Sequence, residues 1–187
     1  MPDLQPVLSE ILQELDRTLA RISEDSVEEL IDAILQAKKI LVSGAGRSGL
    51  AVNAFAMRLM QMGYRVYVVG ETTTPNLVSG DLLLIASGSG STGGQVVIAK
   101  KAKALGARLA LLTADKNSPL GELADVVVEI PAPSPQNRET VEPASIQPLG
   151  SLFEQCLFLA LDAVVLLLMA ERATNPDLMS QRHANLE

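Results

Sequence analysis

Two glycine-rich segments of the chain carry the residue types that can bind a phosphate group. The first, GAGRSG at residues 44–49, includes Arg47 and Ser48 and follows an apolar run at residues 40–42. The second, at residues 87–92, has four hydroxyl groups within six residues: Ser87, Gly88, Ser89, Gly90, Ser91 and Thr92. Glycine lets the backbone approach a ligand closely, and hydroxyls with free N–H groups at a helix start suit an anion. Both segments therefore predict anion binding, mostly by neutral donors.

The first segment alone allows two kinds of ligand. Gly-x-Gly-x-x-Gly after a strand can hold the pyrophosphate of a dinucleotide, and Glu71 follows Gly49 at about the spacing of a ribose-binding carboxylate. A dinucleotide site does not call for a second segment such as residues 87–92, whereas two such loops after adjacent strands could enclose one phosphate from both sides. The second segment therefore favours a phosphosugar. A flexible loop with a helix N-cap is the other interpretation of that segment.

The bulk composition limits the classes of protein that remain. The chain has 187 residues, of which 48% are hydrophobic and 3% aromatic, so we expect one domain with an aliphatic core. A net charge of −7 argues against nucleic acid or an anionic membrane surface as a partner. The single cysteine, Cys156, excludes a disulfide or a cysteine-based metal site within one chain, and residues 1–10 lack the basic region of a secretory signal. We therefore expect a cytoplasmic protein.

The apolar periodicity predicts the elements that must position the two segments. Strands are predicted at residues 40–43, 65–69, 82–87, 108–113 and 126–130. Helices are predicted at residues 2–22, 26–38, 48–62, 93–105 and 149–173, with a short one near 120–124. Strands of continuous Val, Leu and Ile that alternate with helices indicate an α/β fold, a doubly wound five-stranded parallel sheet flanked by helices. In such sheets ligands bind beyond the carboxyl ends of the strands, where both glycine-rich segments lie.

We expect a single domain over residues 1–187, with one helix that needs a partner. Its parts are N-terminal helices at 1–38, a sheet core at 39–132, a proline-rich loop at 133–148, a long apolar helix at 149–173 and a C-terminal tail at 174–187. The apolar run at residues 157–170 is shorter than the ~20 residues of a membrane span, and Asp162 interrupts it. A helix that is apolar nearly all round is buried in protein. One small domain has little room for it, so we expect a homo-oligomer.

Five segments together resemble the 6-phospho-3-hexuloisomerases, a group within the sugar isomerase (SIS) family of phosphosugar enzymes and binders. They are GAGRSG, SGSGST, AMRLMQMG at 56–63, GSLFEQ at 150–155 and RHANLE at 182–187. The resemblance spans essentially the whole chain. The two glycine-rich segments are typical of the superfamily, and the last two segments are typical of this isomerase group. Where the group's pattern has Glu in the second loop, this chain has Ser91.

The resemblance implies a fold, a reaction and a set of site residues. The fold would be a five-stranded parallel sheet of flavodoxin-like strand order, assembled as a tetramer with active sites near subunit interfaces. The reaction would interconvert 3-hexulose 6-phosphate and fructose 6-phosphate, the second step of the ribulose monophosphate route of formaldehyde fixation. Ser48 and residues 87–92 would bind the phosphate, and Glu154 would be the catalytic base.

The chemistry of this reaction sets what the site must contain. Moving a carbonyl group from C3 to C2 needs proton transfer through an enediol, which strictly requires neither a redox cofactor nor a metal, so we expect no cofactor. Glu154 can carry the proton, and a second group must handle the hydroxyl protons. His183, the only histidine, lies in the terminal motif and suits acid–base chemistry near pH 7. We expect His183 to act in its own chain or from a neighbouring subunit, and Arg47 to contact phosphate or sugar oxygens.

Three other functions remain open at this point. An isomerase for another phosphosugar would keep the phosphate loops and differ only in the loops that face the sugar. A non-catalytic phosphosugar sensor usually carries an additional domain, for which this chain has no residues to spare. A nicotinamide-linked oxidoreductase would leave residues 87–92 without a purpose.

Overall fold

The structure is a computed structural model that describes residues 3–133 and 144–186. Its elements in chain order are α1 (Leu4–Leu19), α2 (Glu24–Gln36), β1 (Ile40–Gly44), α3 (Gly46–Gln61), β2 (Val66–Val68), β3 (Leu82–Ala86), α4 (Gly93–Ala104), β4 (Arg108–Thr113), β5 (Val126–Glu129), α5 (Ser151–Glu171) and α6 (Pro176–Ser180). All five predicted strands and the five long predicted helices are confirmed, with small shifts at their ends. Most of the predicted proline-rich loop, residues 134–143, lies outside the described residues.

The five strands form one parallel sheet in the order β2-β1-β3-β4-β5, which is the predicted flavodoxin-like order. The chain leaves β1 through α3 towards β2, and it leaves β3 through α4 towards β4, so the direction of winding reverses between β1 and β3. These two strands are direct neighbours, with Gly44 in register with Ala86. The segments that follow them therefore begin side by side at the carboxyl edge of the sheet.

The sheet is covered on both faces, which explains why its strands are continuous apolar runs. Alternate residues such as Val42 and Leu84 pack on one face against α2, α3 and α5. The intervening residues, such as Leu41 and Ile85, pack on the other face against α4. Because α3 and α4 lie on opposite faces, their first turns approach the space beyond β1 and β3 from two sides.

The short helix predicted near residues 120–124 is wrong, because this segment is a series of turns. The Leu120 N–H donates to the Gly90 carbonyl oxygen at 2.9 Å, which ties the segment to the loop after β3. Gly121 packs so closely that a Cβ atom there would overlap the Lys116 carbonyl oxygen. Contacts outside the segment therefore decide its conformation.

The predicted C-terminal tail contains the sixth helix, α6, which the apolar periodicity did not indicate. The Asn175 side chain accepts a hydrogen bond from the Leu178 N–H at 2.9 Å, and Pro176 occupies the first turn. Both are ordinary helix-start signals. The helix is five residues long, which is too short to show an apolar period.

Helix α5 is the apolar helix that the sequence predicted, and part of its surface is uncovered. By length and composition it could cross a membrane, but 44% of its most apolar window is buried inside the protein. It packs against α3, α1 and α2, as the core helix of a folded domain does. Its outward side still exposes four large apolar side chains, those of Phe158, Leu159, Leu166 and Leu167.

Candidate functional site

The first turn of α3 starts directly against β1 because two glycines meet there. A Cβ atom on Gly49 would lie 2.7 Å from the Gly44 carbonyl oxygen, and one on Gly44 would lie 2.9 Å from the Gly49 nitrogen. Gly46 has a φ of 55°, a left-handed conformation that glycine adopts without strain. The residue before the helix is Ala45, whose methyl group cannot cap the helix. The N-terminal N–H groups of α3 therefore point towards the space beyond β1, beside the buried Ser48.

The loop at residues 87–92 has a defined shape rather than that of a flexible connection. The Ser87 and Thr92 hydroxyls lie 3.0 Å apart and close the loop across its base. The Gly90 N–H donates to the Ser87 carbonyl oxygen at 3.0 Å, and the Ser91 N–H donates to the Ser89 hydroxyl at 3.3 Å. Because the Thr92 hydroxyl is engaged with Ser87, it does not cap α4, and the first-turn N–H groups of α4 are left for another acceptor.

The end of β4 and the turns that follow it contact this loop and fix its position. The Thr113 hydroxyl and the Ala114 N–H both donate to the Gly88 carbonyl oxygen, at 3.3 and 3.1 Å. Gly90 has a φ of 58°, and a Cβ atom there would overlap the Ser118 side chain. The loop therefore needs glycine at position 90 and is fixed from β4 and from the turns that follow it.

Glu154 lies where these two segments meet the start of α5. Its Oε2 atom is 2.9 Å from the Nε atom of Arg47 in the first turn of α3. The preceding residue, Phe153, is buried with its ring against Gly88, where a Cβ atom would lie 3.1 Å from the ring. The Glu154 side chain is 21% exposed and that of Arg47 is 59% exposed, so the ion pair opens to solvent. Arg47 thus contacts the candidate base directly, an arrangement that the sequence did not predict.

His183 lies at the other end of the domain from these residues. The neighbouring Arg182 donates from its guanidinium to the Gln61 carbonyl oxygen at 3.3 Å, at the C-terminal end of α3. The first turn of α3, with Ser48, is about 20 Å away along the helix. His183 is exposed, and its Nδ1 atom lies 3.0 Å from the Ala184 carbonyl oxygen. Within one chain the structure therefore brings Glu154, but not His183, to the glycine-rich segments.

A buried carboxylate near the start of α5 was missed by the sequence analysis. Glu14 of α1 is 3% exposed and accepts three hydrogen bonds: from the Ser145 hydroxyl at 2.7 Å, the Ile146 N–H at 2.7 Å and the Gln147 amide at 2.9 Å. Burial raises the pKa of Glu14, but these hydrogen bonds, together with the positive charge of Arg17, outweigh it and hold the pKa below its ordinary value. The available signal was a carboxylate on the apolar face of a helix, next to Leu15.

Metal ligands are not grouped in the part of the chain that is described. Among residues 3–133 and 144–186, no group of three or more His, Cys, Asp and Glu side chains is placed to hold a metal ion. The polar groups at the carboxyl edge of the sheet are instead hydroxyls, backbone N–H groups and the Arg47–Glu154 pair. This set can bind an anion and can move a proton.

Comparison with known proteins identifies the family of the chain. The SIS domain family model matches residues 33–153, which run from α2 to the start of α5. The chain belongs to the SIS domain family, as the sequence motifs predicted.

Relatives with assigned activities lie within this family. The chain is 45% identical over 180 residues to the 3-hexulose-6-phosphate isomerase of Bacillus subtilis, with 96% of this chain and 97% of that protein covered. It is also 45% identical to the 3-hexulose-6-phosphate isomerase of Mycobacterium gastri, with 99% of this chain and 92% of that protein covered. A crystal structure of a Methanococcus jannaschii protein, for which the function of 3-hexulose-6-phosphate isomerase was inferred, matches with a TM-score of 0.84 at 32% identity, covering 97% of this chain and 99% of that one.

Proposed function

We propose that this chain is an isomerase that interconverts 3-hexulose 6-phosphate and fructose 6-phosphate, the second step of the ribulose monophosphate route. Relatives with this name align over nearly the whole chain at 45% identity. The observation that carries the proposal is the convergence at the start of α5. The Glu154 carboxylate lies beside Arg47 of the first glycine-rich segment, and its neighbour Phe153 packs on Gly88 of the second.

Neutral donors bind the phosphate in this proposal. The N-terminal N–H groups of α3 and α4, the Ser48 hydroxyl and the hydroxyls of residues 87–92 all lie beyond β1 and β3. The helix dipoles of α3 and α4 add positive potential at the same place. A protein with a net charge of −7 can therefore bind a phosphate dianion without a cluster of basic residues.

Glu154 moves the proton between adjacent carbons of the bound sugar. The carboxylate removes the proton from C2 of the 3-hexulose, the C2–H electron pair forms the C2=C3 bond, and the C3 carbonyl oxygen becomes an enediolate. The second proton-handling group transfers the C2 hydroxyl proton to the C3 oxygen, which becomes a hydroxyl. Glu154 returns its proton to C3 as the electron pair of the C2–O bond forms the C2 carbonyl, which completes fructose 6-phosphate. Arg47 lies 2.9 Å from Glu154 and supplies a positive charge near the developing enediolate oxygen.

The second proton-handling group in this proposal is His183 from a neighbouring copy of the chain. Its distance from Glu154 within one chain favours a site completed by a second subunit. The exposed apolar side of α5, with Leu159 and Leu167, and the adjoining groove of about 860 Å³ between α2 and α5 offer a surface for that copy. We propose a homo-tetramer in the cytoplasm, with active sites near its subunit interfaces, which sedimentation equilibrium would test.

Exchange of substrate protons in deuterated water tests the reaction. We expect purified protein to exchange the C3 proton of fructose 6-phosphate, observed by NMR, and to form a 3-hexulose phosphate. Glu154→Gln keeps the size of the side chain and removes the base, so it should abolish exchange. Exchange at C1 instead would identify an aldose–ketose isomerase, and binding without exchange would identify a phosphosugar sensor; either result would refute the proposal.

A further inference from the structure

The buried carboxylate of Glu14 has no part in the proposed reaction, yet it is bonded to the segment that leads into α5. Its three hydrogen-bond donors belong to three consecutive residues, 145–147, which lie six residues or fewer from the first residue of the helix, Ser151. An isolated buried carboxylate is unfavourable unless donors satisfy it. The contact is therefore specific, and it joins α1 to the segment that precedes α5.

A second link connects the same group to α5 itself. The Gln147 amide that donates to Glu14 also accepts, through Oε1, a hydrogen bond from the Gln155 amide at 2.5 Å. Gln155 directly follows Glu154 in the first turns of the helix. A continuous path of two hydrogen bonds thus runs from Glu14 to the residue next to the candidate base.

The turn between this anchor and α5 is held in an uncommon conformation. Leu149 has a φ of 55°, which is unfavourable for a residue with a side chain, and it is 75% exposed. Such a conformation persists where the surrounding structure enforces it. On one side of Leu149 the chain is held by Glu14, and on the other side Phe153 is packed against Gly88. Loss of the hydrogen bonds to Glu14 would let the backbone at Leu149 relax, and the first turn of α5 would then shift.

We propose that Glu14 is a positioning residue that fixes the start of α5, and with it Glu154, through residues 145–147 and Gln155. This inference rests on the proposed function, because it takes Glu154 as the base. It assigns α1 a part in the active site although α1 does not contribute to the phosphate loops. Only an acceptor with two oxygen atoms satisfies the three converging donors. A neutral amide would set its own NH₂ group against one of them.

The substitution Glu14→Gln tests the proposal, and a paired change provides its rescue. We expect Glu14→Gln to lower kcat about tenfold while KM for fructose 6-phosphate stays within about twofold, because the base shifts and the phosphate loops do not. In the double variant Glu14→Gln/Gln147→Glu, the amide introduced at position 14 donates to the carboxylate introduced at position 147, which still accepts from Gln155. The double variant should therefore recover most of kcat.

A control variant separates positioning from general loss of stability. Ile34 is fully buried in α2, and Ile34→Val removes one core methyl group without touching the hydrogen bonds that join Glu14, residues 145–147 and Gln155. We expect Ile34→Val to lower the melting temperature without changing kcat, measured at a temperature where every variant is folded. Hydrogen exchange should show faster exchange of the Ile146 N–H in Glu14→Gln only, since that N–H donates to Glu14.

Each outcome decides the proposal. An unchanged kcat in folded Glu14→Gln would overturn it, and so would a reduced kcat that the paired change does not restore. Should Glu14→Gln fail to fold, Gln147→Met removes both hydrogen bonds of the path while leaving the charge, and it must show the same fall in kcat. A wild-type protein without C3 exchange would refute the proposed function as well, whereas an active wild type with an unchanged Glu14→Gln variant would refute only the positioning role.

Discussion

Replacing Gly49 by alanine tests whether the phosphate loops depend on the direct contact of α3 with β1. The added Cβ atom would lie 2.7 Å from the Gly44 carbonyl oxygen, where ordinary contact begins at 3.4 Å, so the helix and the strand must separate by about 0.7 Å. Both groups are backbone, so no side chain can rotate away. The first turn of α3, with Ser48, moves with the helix.

The expected effects on stability and activity follow from that displacement. Overpacking of this size destabilises by about 1–3 kcal/mol, offset by about 0.5–1 kcal/mol from the better helix propensity of alanine. Misplacing binding groups by nearly 1 Å lowers kcat/KM by about tenfold to a hundredfold. Because the displaced groups bind phosphate, we expect most of the loss in KM. Urea unfolding measures the first effect, and steady-state isomerisation followed by NMR measures the second.

A second glycine provides the control for stability. Gly94, in the first turn of α4, has space for a Cβ atom, since none of the described residues outside its chain neighbours and the backbone of its own helix has an atom within 4 Å of that position. Gly94→Ala should leave the free energy of unfolding unchanged or raise it by about 0.4–1 kcal/mol. A Gly49→Ala variant with the stability and KM of the wild type would show that the close contact does not position the phosphate site.

Three further predictions concern the charged residues. Arg47→Gln should lower kcat about tenfold or more, because it removes a positive charge beside the enediolate. The free energy of unfolding should change by less than about 1 kcal/mol, because the ion pair is open to solvent. An unchanged kcat would exclude Arg47 from the chemistry. Because the pKa of Glu14 is lowered in the folded protein, wild type should be more stable than Glu14→Gln by about 1–3 kcal/mol at pH values above the ordinary pKa of 4.5. This difference should vanish as the pH falls through the lowered pKa. Urea unfolding at several pH values measures it, and a difference that does not depend on pH would contradict the prediction. If His183 acts across an interface, mixing equal amounts of the Glu154→Gln and His183→Ala variants under conditions that exchange subunits should restore activity. About one quarter of the sites would then combine an intact Glu154 with an intact His183 from the neighbouring subunit. No recovery of activity would show that His183 does not act across the interface.

The sheet was predictable because its signals are local. Each strand is a short run made up mainly of Val, Leu, Ile and Ala, and each long helix has its own apolar pattern, so neighbouring residues alone define these elements. The strand order came from the family resemblance rather than from these runs. The segment at 120–124 was misjudged because its backbone is bonded to Gly90, a partner that local pattern does not reveal.

The candidate site was predictable in its residue types but not in its pairings. Arg47 and Glu154 are far apart in the chain, and they meet because α3 and α5 pack against each other. Glu14 was overlooked because its partners, residues 145–147, lie more than 130 positions further along the chain. A carboxylate on the apolar face of a helix nevertheless marks a buried acceptor, and the sequence shows that signal.

Assembly of several copies of the chain would explain two features together: the distance between Glu154 and His183, and the exposed apolar side of α5. Glu154 is fixed by contacts within its own chain, to Arg47 and through Phe153 to Gly88. His183 is tied to the far end of α3 through Arg182, and α5 exposes a row of large apolar side chains. If both residues handle protons in one site, an isolated chain cannot be active, and the exposed side of α5 is the surface whose burial would stabilise the assembly. Activity and oligomerisation should therefore be lost together when that surface is made polar.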